Sequence, residues 1–434
     1  IRVGIVGTPD AVDGLRGWLD RCRLPVAAKD SRLGRLFVPF PGFDTSTGFR
    51  STLVWDNRLE RTLRLRDLSR LSTLPPDKAV PEAVALYAEQ IAALDEEPNC
   101  DVIIVARPDD LPERQPAQPA PGWKKAKEAP HTADFRALLK AVSMRGSRPI
   151  QIVRRSTWDP LFKPPSETER RQKQDEATRA WNIHTALYYK AGGVPWRLPR
   201  DPADLTSLFV GVTFYKSADG DTLQTSVAQV FNQRGDGVIV RGGTAQVSRH
   251  DRQPHLSADG ASSLLGEALK RYRLEHRTLP ARVVVHKSSS YTQAETDGFR
   301  NAADGAALDT LELLWLPAGD SFRLFRPAAH PPLRGTLLSL TIERHVLYTR
   351  GSVPFYGTYP GMYIPAPLPF RTDGAESSPE ALGQEILALT KMNWNQTQLD
   401  GRRPITLRTA DNVGQILRHV APDERPQGRY AFYM

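Results

Sequence analysis

The chain has 434 residues, of which 40% are hydrophobic and 25% are charged, and its formal net charge is +9. This length predicts two domains of about 150–250 residues each, and the apolar runs are strand-sized, far short of the ~20 residues that a membrane span requires. Two cysteines, Cys22 and Cys100, are too few for a disulfide framework or a metal cluster. We therefore expect a protein of the reducing cytoplasm that does not enter a membrane, although a single Cys22–Cys100 bridge stays open.

Strands and helices alternate along the first 200 residues. Buried-strand patterns predict strands at 1–7, 101–106 and 149–154, and apolar residues at helical spacing predict helices at 10–23, 80–95, 133–143 and 177–191. The segment 36–43 is predicted to run into a turn, and the proline-rich stretch 107–131 to form a loop. This alternation favours an α/β layer with a mostly parallel sheet, which we assign to a first domain at 1–200.

A second domain is expected at 201–434. Its first strands, predicted at 207–215, 223–231 and 237–241, form a β-meander with tight reversals. The later predicted elements are a helix at 258–276, a strand at 282–286, a helix at 293–303, a strand at 311–316, two strands between 334 and 350, and helices at 378–391 and 409–419.

The positive charge of the chain is concentrated in one segment. Residues 136–200 contain 14 Lys/Arg and 5 Asp/Glu, an excess of nine that equals the net charge of the whole chain. A local concentration of cations indicates a local polyanion as partner, and phosphate is the usual one.

Within this segment, cations and amides recur at spacings that suit one anion. Arg136 and Lys140 are four residues apart and therefore share a helix face. Gln151 offers an amide on the next strand, and Asn182 and Lys190 lie eight apart on a later helix. Together these side chains could enclose a terminal phosphate. On spacing alone, a solvated basic helix face is the alternative.

The segment Lys190–Trp196, which follows a helix, and Pro149–Gln151 before it resemble the MID domain of Argonaute proteins. That domain is a Rossmann-like α/β layer that anchors the 5′ phosphate of a guide strand. The resemblance implies that Arg136, Lys140, Gln151 and Lys190 stand at the phosphate-binding positions. Arg136 departs from the family, which more often has an aromatic side chain there.

The segments 390–397 and 404–411 resemble the closing motif of PIWI domains, and the sequence ends soon afterwards at Met434. Members of that family bury the C-terminal carboxylate beside the guide phosphate and share a divalent cation between the two. The resemblance therefore implies that Met434 and the guide phosphate hold a Mg²⁺ ion, since oxygen ligands suit this metal.

PIWI domains resemble the RNase H fold, whose nuclease form holds two metal ions with a carboxylate-rich tetrad. Here Thr213 stands at the position of the first acid and Ser288 at that of the third, and no glutamate occurs near 241–243. Asp411 matches the fourth ligand. One carboxylate cannot hold two metal ions, so we expect that this chain does not cleave a target strand.

As a whole, the sequence resembles the short prokaryotic Argonautes, which consist of MID and PIWI domains. The resemblance implies a guide RNA, a single-stranded DNA target and a heterodimer with an APAZ-domain protein. That partner would carry the effector, a sirtuin-like or TIR NAD-consuming enzyme or a DNase, in abortive defence against plasmids and phages. Two alternatives stay open: a guided nuclease with an unusual metal site around Asp411, and a nonspecific nucleic-acid-binding scaffold.

Overall fold

The computed structural model describes residues 1–107, 134–164, 166–167, 170, 173–198, 205–217, 222–231, 237–319, 321–361, 364–372, 374–395, 401–421, 424 and 426–434. The chain divides into two compact units. The first comprises Ile1–Pro195, Trp394–Gln396 and Met434, and the second comprises Trp196–Asn393 and Thr397–Tyr433. The expected domain boundary at 200/201 and the predicted loop from residue 108 onwards lie outside the described residues.

Within the described ranges, the first unit contains a four-stranded sheet with all neighbours parallel, in the order β2-β1-β3-β4. The strands are β1 (Val3–Gly7), β2 (Glu60–Thr62), β3 (Val102–Ala106) and β4 (Ile150–Val153). Every residue of β1 and β3 is buried, as expected for a parallel sheet that is covered on both faces. The predicted parallel sheet is confirmed, but β2 was not predicted, because this three-residue polar edge strand has no apolar pattern.

The helices of the first unit begin at polar caps that the sequence supplies. Thr8, Asp134 and Asp175 accept backbone N–H groups of the first turn that follows each of them. The described helices are α1 (Pro9–Arg21), α2 (Leu65–Leu71), α3 (Pro76–Asp95), α4 (Phe135–Ser143), the single turn α5 (Arg155–Trp158) and α6 (Glu176–Lys190). The four predicted helices are confirmed within a few residues. At 36–43 the chain forms a 3₁₀ turn, Gly34–Leu36, and a bridge between Val26 and Phe40.

Two apolar clusters cover the two faces of this sheet. Ile103 and Val105 pack with α3 and α4, whereas Val102 and Ile104 pack with α1 and α6. This division follows from the period of two along a strand. Cys22 belongs to the second cluster and Cys100 to the first, so the sheet separates them, and both are buried free thiols. The open alternative of a Cys22–Cys100 bridge is therefore wrong.

In the part of the chain that the structure describes, the second unit has an eight-stranded mixed sheet in the order β12-β13-β14-β11-β10-β5-β6-β7. Antiparallel β5, β6 and β7 form the predicted meander, and β10 runs parallel to both β5 and β11. The strands are β5 (Ser207–Lys216), β6 (Leu223–Phe231), β7 (Gly237–Thr244), β10 (Arg282–Lys287), β11 (Thr310–Trp315), β12 (Leu337–Ser339), β13 (Arg344–Leu347) and β14 (Leu368–Arg371), and β8 (Gln246–Val247) pairs with β9 (Pro254–His255).

The described helices of the second unit are α7 (Ala258–His276), α8 (Gln293–Gly305), α9 (Pro379–Leu389) and α10 (Ile405–Leu417). Helix α10 starts four residues earlier than predicted and crosses β5 in close contact at Gly211. A Cβ at that position would lie 2.3 Å from the carbonyl oxygen of Thr406, so only glycine permits this approach. No helix in the described ranges combines the length and apolar composition that crossing a bilayer requires.

Candidate functional site

A cavity of about 410 Å³ lies in the first unit at the carboxyl ends of β3 and β4. Four of the residues predicted from the sequence line it, namely Arg136, Lys140, Gln151 and Met434. The carboxyl edge of a parallel sheet is where α/β folds hold their ligands, because strand ends and helix N-termini meet there. The structure therefore brings together residues that are far apart in the sequence.

Lys190 is not among the described residues that line the cavity, but it contacts two that are, Gln151 and Met434. Its ammonium donates a short hydrogen bond to Gln151 Oε1 and a longer one, of 3.4 Å, to the main-chain oxygen of Met434. Lys140 donates to the carbonyl oxygen of Ile150 at 3.4 Å. The exposed fraction is 1% for Lys190 and 2% for Lys140. Both ammonium groups are thus buried against oxygen acceptors of the protein.

The electrostatic state of these lysines is unusual. Burial lowers the pKa of Lys190 to about 7, and the nearby charge of Arg136 acts in the same direction. Burial also holds the pKa of Lys140 well below its ordinary range, with further lowering by Lys190 and Arg136. The charges that lower these pKa values are cationic. An anion placed among them would favour the protonated forms and raise both pKa values again.

The N-terminus of α4 adds to the positive character of the cavity. The carboxylate of Asp134 caps this helix by accepting the N–H groups of Arg136 at 2.9 Å and Ala137 at 3.3 Å. Asp134 also lines the cavity, where it is the only carboxylate side chain among the described lining residues. Because its oxygen is engaged by helix N–H groups, most of the surface offered to a ligand comes from cations and amides.

Asn182 is not brought to the cavity. Its amide donates to Gln174 Oε1 at 2.9 Å, and it is not among the described residues that line the cavity. Eight residues along a helix correspond to about 12 Å of rise and a rotation of about 80°, which separates Asn182 from Lys190. We therefore leave Asn182 out of the candidate site.

Sequence reasoning missed Arg107, Arg154 and Asn395, which also line the cavity. Arg107 directly follows β3, and Arg154 directly follows β4. A signal was present, since a cation placed just after a buried strand faces the carboxyl edge of a parallel sheet. Asn395 lies within the segment 390–397 that carries the resemblance to the PIWI closing motif.

The cavity does not form a Mg²⁺ site by itself. Mg²⁺ prefers oxygen ligands, usually including one or two carboxylates, whereas this lining supplies cations, amides, the capped Asp134 and the main chain of Met434. In the described residues there is no group of three or more His, Cys, Asp or Glu side chains that could hold a metal ion. The donor set fits Mg²⁺ only when a bound anion contributes further oxygens.

A second group of predicted residues meets in the second unit. Thr213 is buried on β5, and its hydroxyl hydrogen-bonds the carboxylate of Asp411 on α10. Val212 pairs with Lys287 across β5 and β10, so Thr213 and Ser288 follow at the same level of the sheet. The Ser288 N–H donates to the Val212 carbonyl oxygen at 3.2 Å. The three predicted tetrad positions therefore lie together.

Asp411 is half-buried and has a cationic partner. Arg403 forms a short ion pair with its Oδ2 atom. Burial raises the pKa of Asp411 above its ordinary value, although Arg403 and the Thr213 hydroxyl act in the opposite direction. A guanidinium thus already pairs with one oxygen of this carboxylate.

The carboxylates close to Ser288 in the fold are also paired. Lys287 contacts Glu295 at 2.8 Å, and both side chains are fully buried. His255 joins Glu295 at 3.0 Å to Asp251 at 2.9 Å. Although burial acts in the opposite direction, Lys287 and the backbone N–H of Leu256 keep the pKa of Glu295 below its ordinary value. These carboxylates are occupied by internal ion pairs and hydrogen bonds.

The sequence matches no protein-family model and no curated protein. The fold is similar to that of an Argonaute from Clostridium butyricum bound to a guide DNA with a 5′ deoxycytidine and a 19-mer target DNA. The TM-score is 0.63 and the identity 12%, and the match covers 97% of this chain and 48% of that one. It is also similar to Drosophila Piwi, with a TM-score of 0.58, 13% identity, and coverage of 99% and 50%.

The chain thus has an Argonaute-like fold, and it spans about half the length of these two solved structures. At such identities, the likeness establishes the fold alone. The resemblance found in the sequence is confirmed at this level.

Proposed function

We propose that this chain binds a guide strand by its 5′ phosphate and uses the guide to recognise a complementary strand. The observation that carries the proposal is the cavity lined by Arg136 and the buried Lys140, with Lys190 buried directly behind its lining residue Gln151. Such an arrangement is unfavourable without an anion, because each buried ammonium raises the cost of the next. A terminal phosphate supplies the missing charge and accepts several charge-assisted hydrogen bonds at once.

We assign the first unit to a Rossmann-like MID domain and the second to an RNase H-like PIWI domain. The parallel sheet with helices on both faces supports the first assignment. The antiparallel meander β5-β6-β7, continued by parallel β10 and β11, supports the second. The similarity to Argonaute and Piwi structures over nearly the whole chain agrees with both assignments.

The second unit is proposed to lack nuclease activity. Two-metal cleavage of a phosphodiester requires several anionic ligands that clamp the metal ions. Thr213 and Ser288 are neutral, and Asp411 is paired with Arg403. A metal ion at Asp411 would first have to displace a guanidinium. The guided-nuclease alternative requires that displacement and is the weaker proposal.

The identity of the strands and of the partner rests on the resemblance to short prokaryotic Argonautes. We propose a guide RNA, a single-stranded DNA target and an APAZ-domain partner that carries a sirtuin-like, TIR or DNase effector. Target recognition would activate that effector in defence against plasmids and phages. Purification from cells with an N-terminal tag tests this part: short 5′-phosphorylated RNA and an APAZ protein should co-purify, and random-length nucleic acid without a partner would contradict it.

Mg²⁺ is proposed to accompany the guide and not to bind beforehand. The phosphate would supply oxygens that the cavity lacks, and Met434 would add an oxygen of its main chain. Removal of Mg²⁺ with EDTA should therefore weaken binding of a 5′-phosphorylated guide more than binding of a 5′-hydroxyl guide. Equal weakening of both would place the metal elsewhere on the nucleic acid.

The decisive measurement compares short RNA and DNA strands with 5′-phosphate and 5′-hydroxyl ends by fluorescence anisotropy. Each charge-assisted hydrogen bond contributes about 1.5–3 kcal/mol, so Lys190→Met should weaken binding of the phosphorylated strand by about 10- to 100-fold. It should leave the hydroxyl strand nearly unchanged.

Arg170→Ala is the matched control, because Arg170 is an exposed cation of the same basic segment. It should reduce binding of both strands slightly and equally. If the wild-type protein binds phosphorylated and hydroxyl ends with the same affinity, the guide proposal is wrong and the chain is a nonspecific nucleic-acid-binding scaffold.

A further inference from the structure

Another cavity, of about 290 Å³, lies in the first unit between the carboxyl ends of β1 and β3. Thr8 follows β1 there, and Ala106 and Arg107 end β3. In the order β2-β1-β3-β4 the chain leaves β1 toward one side of the sheet and continues from β3 toward the other. The crevice at such a switch point is the preferred ligand site of open α/β sheets.

The walls of this cavity are suited to a planar apolar group. Helix α2 contributes Leu68, helix α3 contributes Tyr87, and the single turn α5 contributes Trp158. Trp158 packs unusually close to α1, since a Cβ at Gly14 would lie 2.2 Å from its ring. The buried Nε1 of Trp158 has no hydrogen-bond partner among the described residues. An aromatic ring with an unused donor is thus fixed in the wall.

The polar groups of the same cavity are suited to an anion. Arg107 and Arg155 both line it, and Arg155 is held by Asp159 at 2.8 Å. The N-terminus of α1, capped by Thr8, meets the cavity and adds the positive end of a 13-residue helix. Asp10 at the rim carries the opposite charge and can accept a hydroxyl or amino group. Asp159 balances the charge of Arg155, so the positive character of the cavity comes mainly from Arg107 and the N-terminus of α1.

We propose that this cavity binds a free mononucleotide, with its base against Trp158 and Leu68 and its phosphate at Arg107 and Arg155. The volume is close to the lower end of the range of small-molecule sites, about 300 Å³, so it can hold one nucleotide unit. The combination of aromatic and aliphatic wall residues, two guanidiniums and a helix N-terminus suits a ligand that carries both a base and a phosphate.

Arg107 lines both this cavity and the one that contains Lys140. Occupancy of either cavity by a phosphate therefore changes the environment of the same guanidinium, and the two ligands should affect each other's affinity by one common factor. This coupling rests on the proposed guide function, whereas binding of the mononucleotide does not.

Isothermal titration calorimetry of the full chain with AMP tests the site. We expect saturable binding with a dissociation constant below about 1 mM, and weaker binding of adenosine and of inorganic phosphate, each of which offers only half of the ligand. Arg155→Ala should weaken AMP about tenfold or more, because it removes one charge-assisted contact.

Ser69→Trp provides an independent block, since Ser69 is exposed on the cavity wall and a larger side chain there would fill the space. It should abolish AMP binding without changing the affinity for a 5′-phosphorylated guide. Arg170→Ala should leave AMP binding unchanged and should reduce binding of the guide only slightly. Absence of AMP binding up to about 10 mM, or unchanged affinity in both Arg155→Ala and Ser69→Trp, would overturn the site.

Guide and AMP added together separate this inference from the proposed function. Arg136→Ala should weaken binding of the guide alone, and Arg107→Ala should weaken binding of both the guide and AMP. If AMP binds but a 5′-phosphorylated guide does not, the mononucleotide site is supported and the proposed guide function is wrong. If the guide displaces AMP completely, the cavity belongs to the guide's own terminal nucleotide, and a separate mononucleotide site is refuted.

Discussion

Binding of a 5′ phosphate should be coupled to proton uptake. In the guide-free protein the pKa of Lys190 is about 7, so at pH 8 roughly one tenth of these side chains carry a proton. A phosphate dianion favours the ammonium form and raises this pKa. Binding at pH 8 should therefore take up about 0.9 protons at Lys190, and up to one more at Lys140, whose pKa is also lowered.

The sign of the pH dependence follows from this uptake. The complex holds more protons than its separated components, so affinity falls as pH rises above about 7, by up to tenfold per pH unit for each proton taken up. Below about pH 7 the contribution of Lys190 levels off, because the side chain is already protonated. Near pH 6 the phosphate itself begins to gain a proton.

Calorimetry in buffers with different ionisation enthalpies measures the uptake directly, since the apparent binding enthalpy changes linearly with that of the buffer. At pH 8 we expect one to two protons for a 5′-phosphorylated guide and none for a 5′-hydroxyl guide. Lys190→Met should reduce the uptake by about one proton, whereas Lys163→Met, which alters an exposed lysine of the same segment, should not change it. Equal uptake with phosphate and hydroxyl ends would refute the assignment of the cavity.

Three further predictions concern stability and the second unit. Lys190→Met should stabilise the guide-free protein against urea by up to about 4 kcal/mol at pH 7, and by about 2 kcal/mol less at pH 9. The reason is that the pKa of Lys190 falls from its ordinary value of 10.5 to about 7 in the folded protein. A stability difference that does not change with pH would argue against a buried charge. Gly211→Ala should lower the free energy of unfolding by about 2–4 kcal/mol in thermal unfolding, because its Cβ would meet a backbone oxygen. Gly243→Ala is the control: a Cβ there has open space, so the free energy of unfolding should change by less than about 1 kcal/mol. Arg403→Ala should raise the pKa of Asp411 further, and this variant should still not cleave a paired target in the presence of Mg²⁺. If the variant does form a cleavage product, and Asp411→Asn abolishes that product, the guided-nuclease alternative is favoured.

Sequence patterns predicted the two central strands of the first unit directly. Strands β1 and β3 are buried on both faces, so they appear as continuous apolar runs. Strand β14 was missed because Leu368-Pro369 follows another proline, and proline inside a strand pattern normally argues against a strand. Its place between β13 and β11 depends on contacts across the sheet, which no local window contains.

The candidate site shows the same division between local and long-range information. Spacing sufficed to place Arg136 and Lys140 on one helix face and to suggest Gln151, Asn182 and Lys190 as further ligands, and the family resemblance supported Gln151 and Lys190. Arg107 and Arg154 join them only because β3 and β4 are neighbours in the sheet. The order of strands in a parallel sheet is not readable from hydrophobic periodicity, so the arginines at their ends could not be assigned to one cavity.

The distribution of charge in the two units explains why anion binding is a stronger inference than metal binding. In the described residues of the first unit, Lys140 and Lys190 are buried where the charges that perturb them are cationic. In the second unit, the acids near Ser288 and Asp411 are engaged by Lys287, His255 and Arg403. Buried charges are stable only when they are matched. We therefore expect the first unit to take up an anion more readily than the second takes up a metal ion, because the carboxylates of the second already have internal partners.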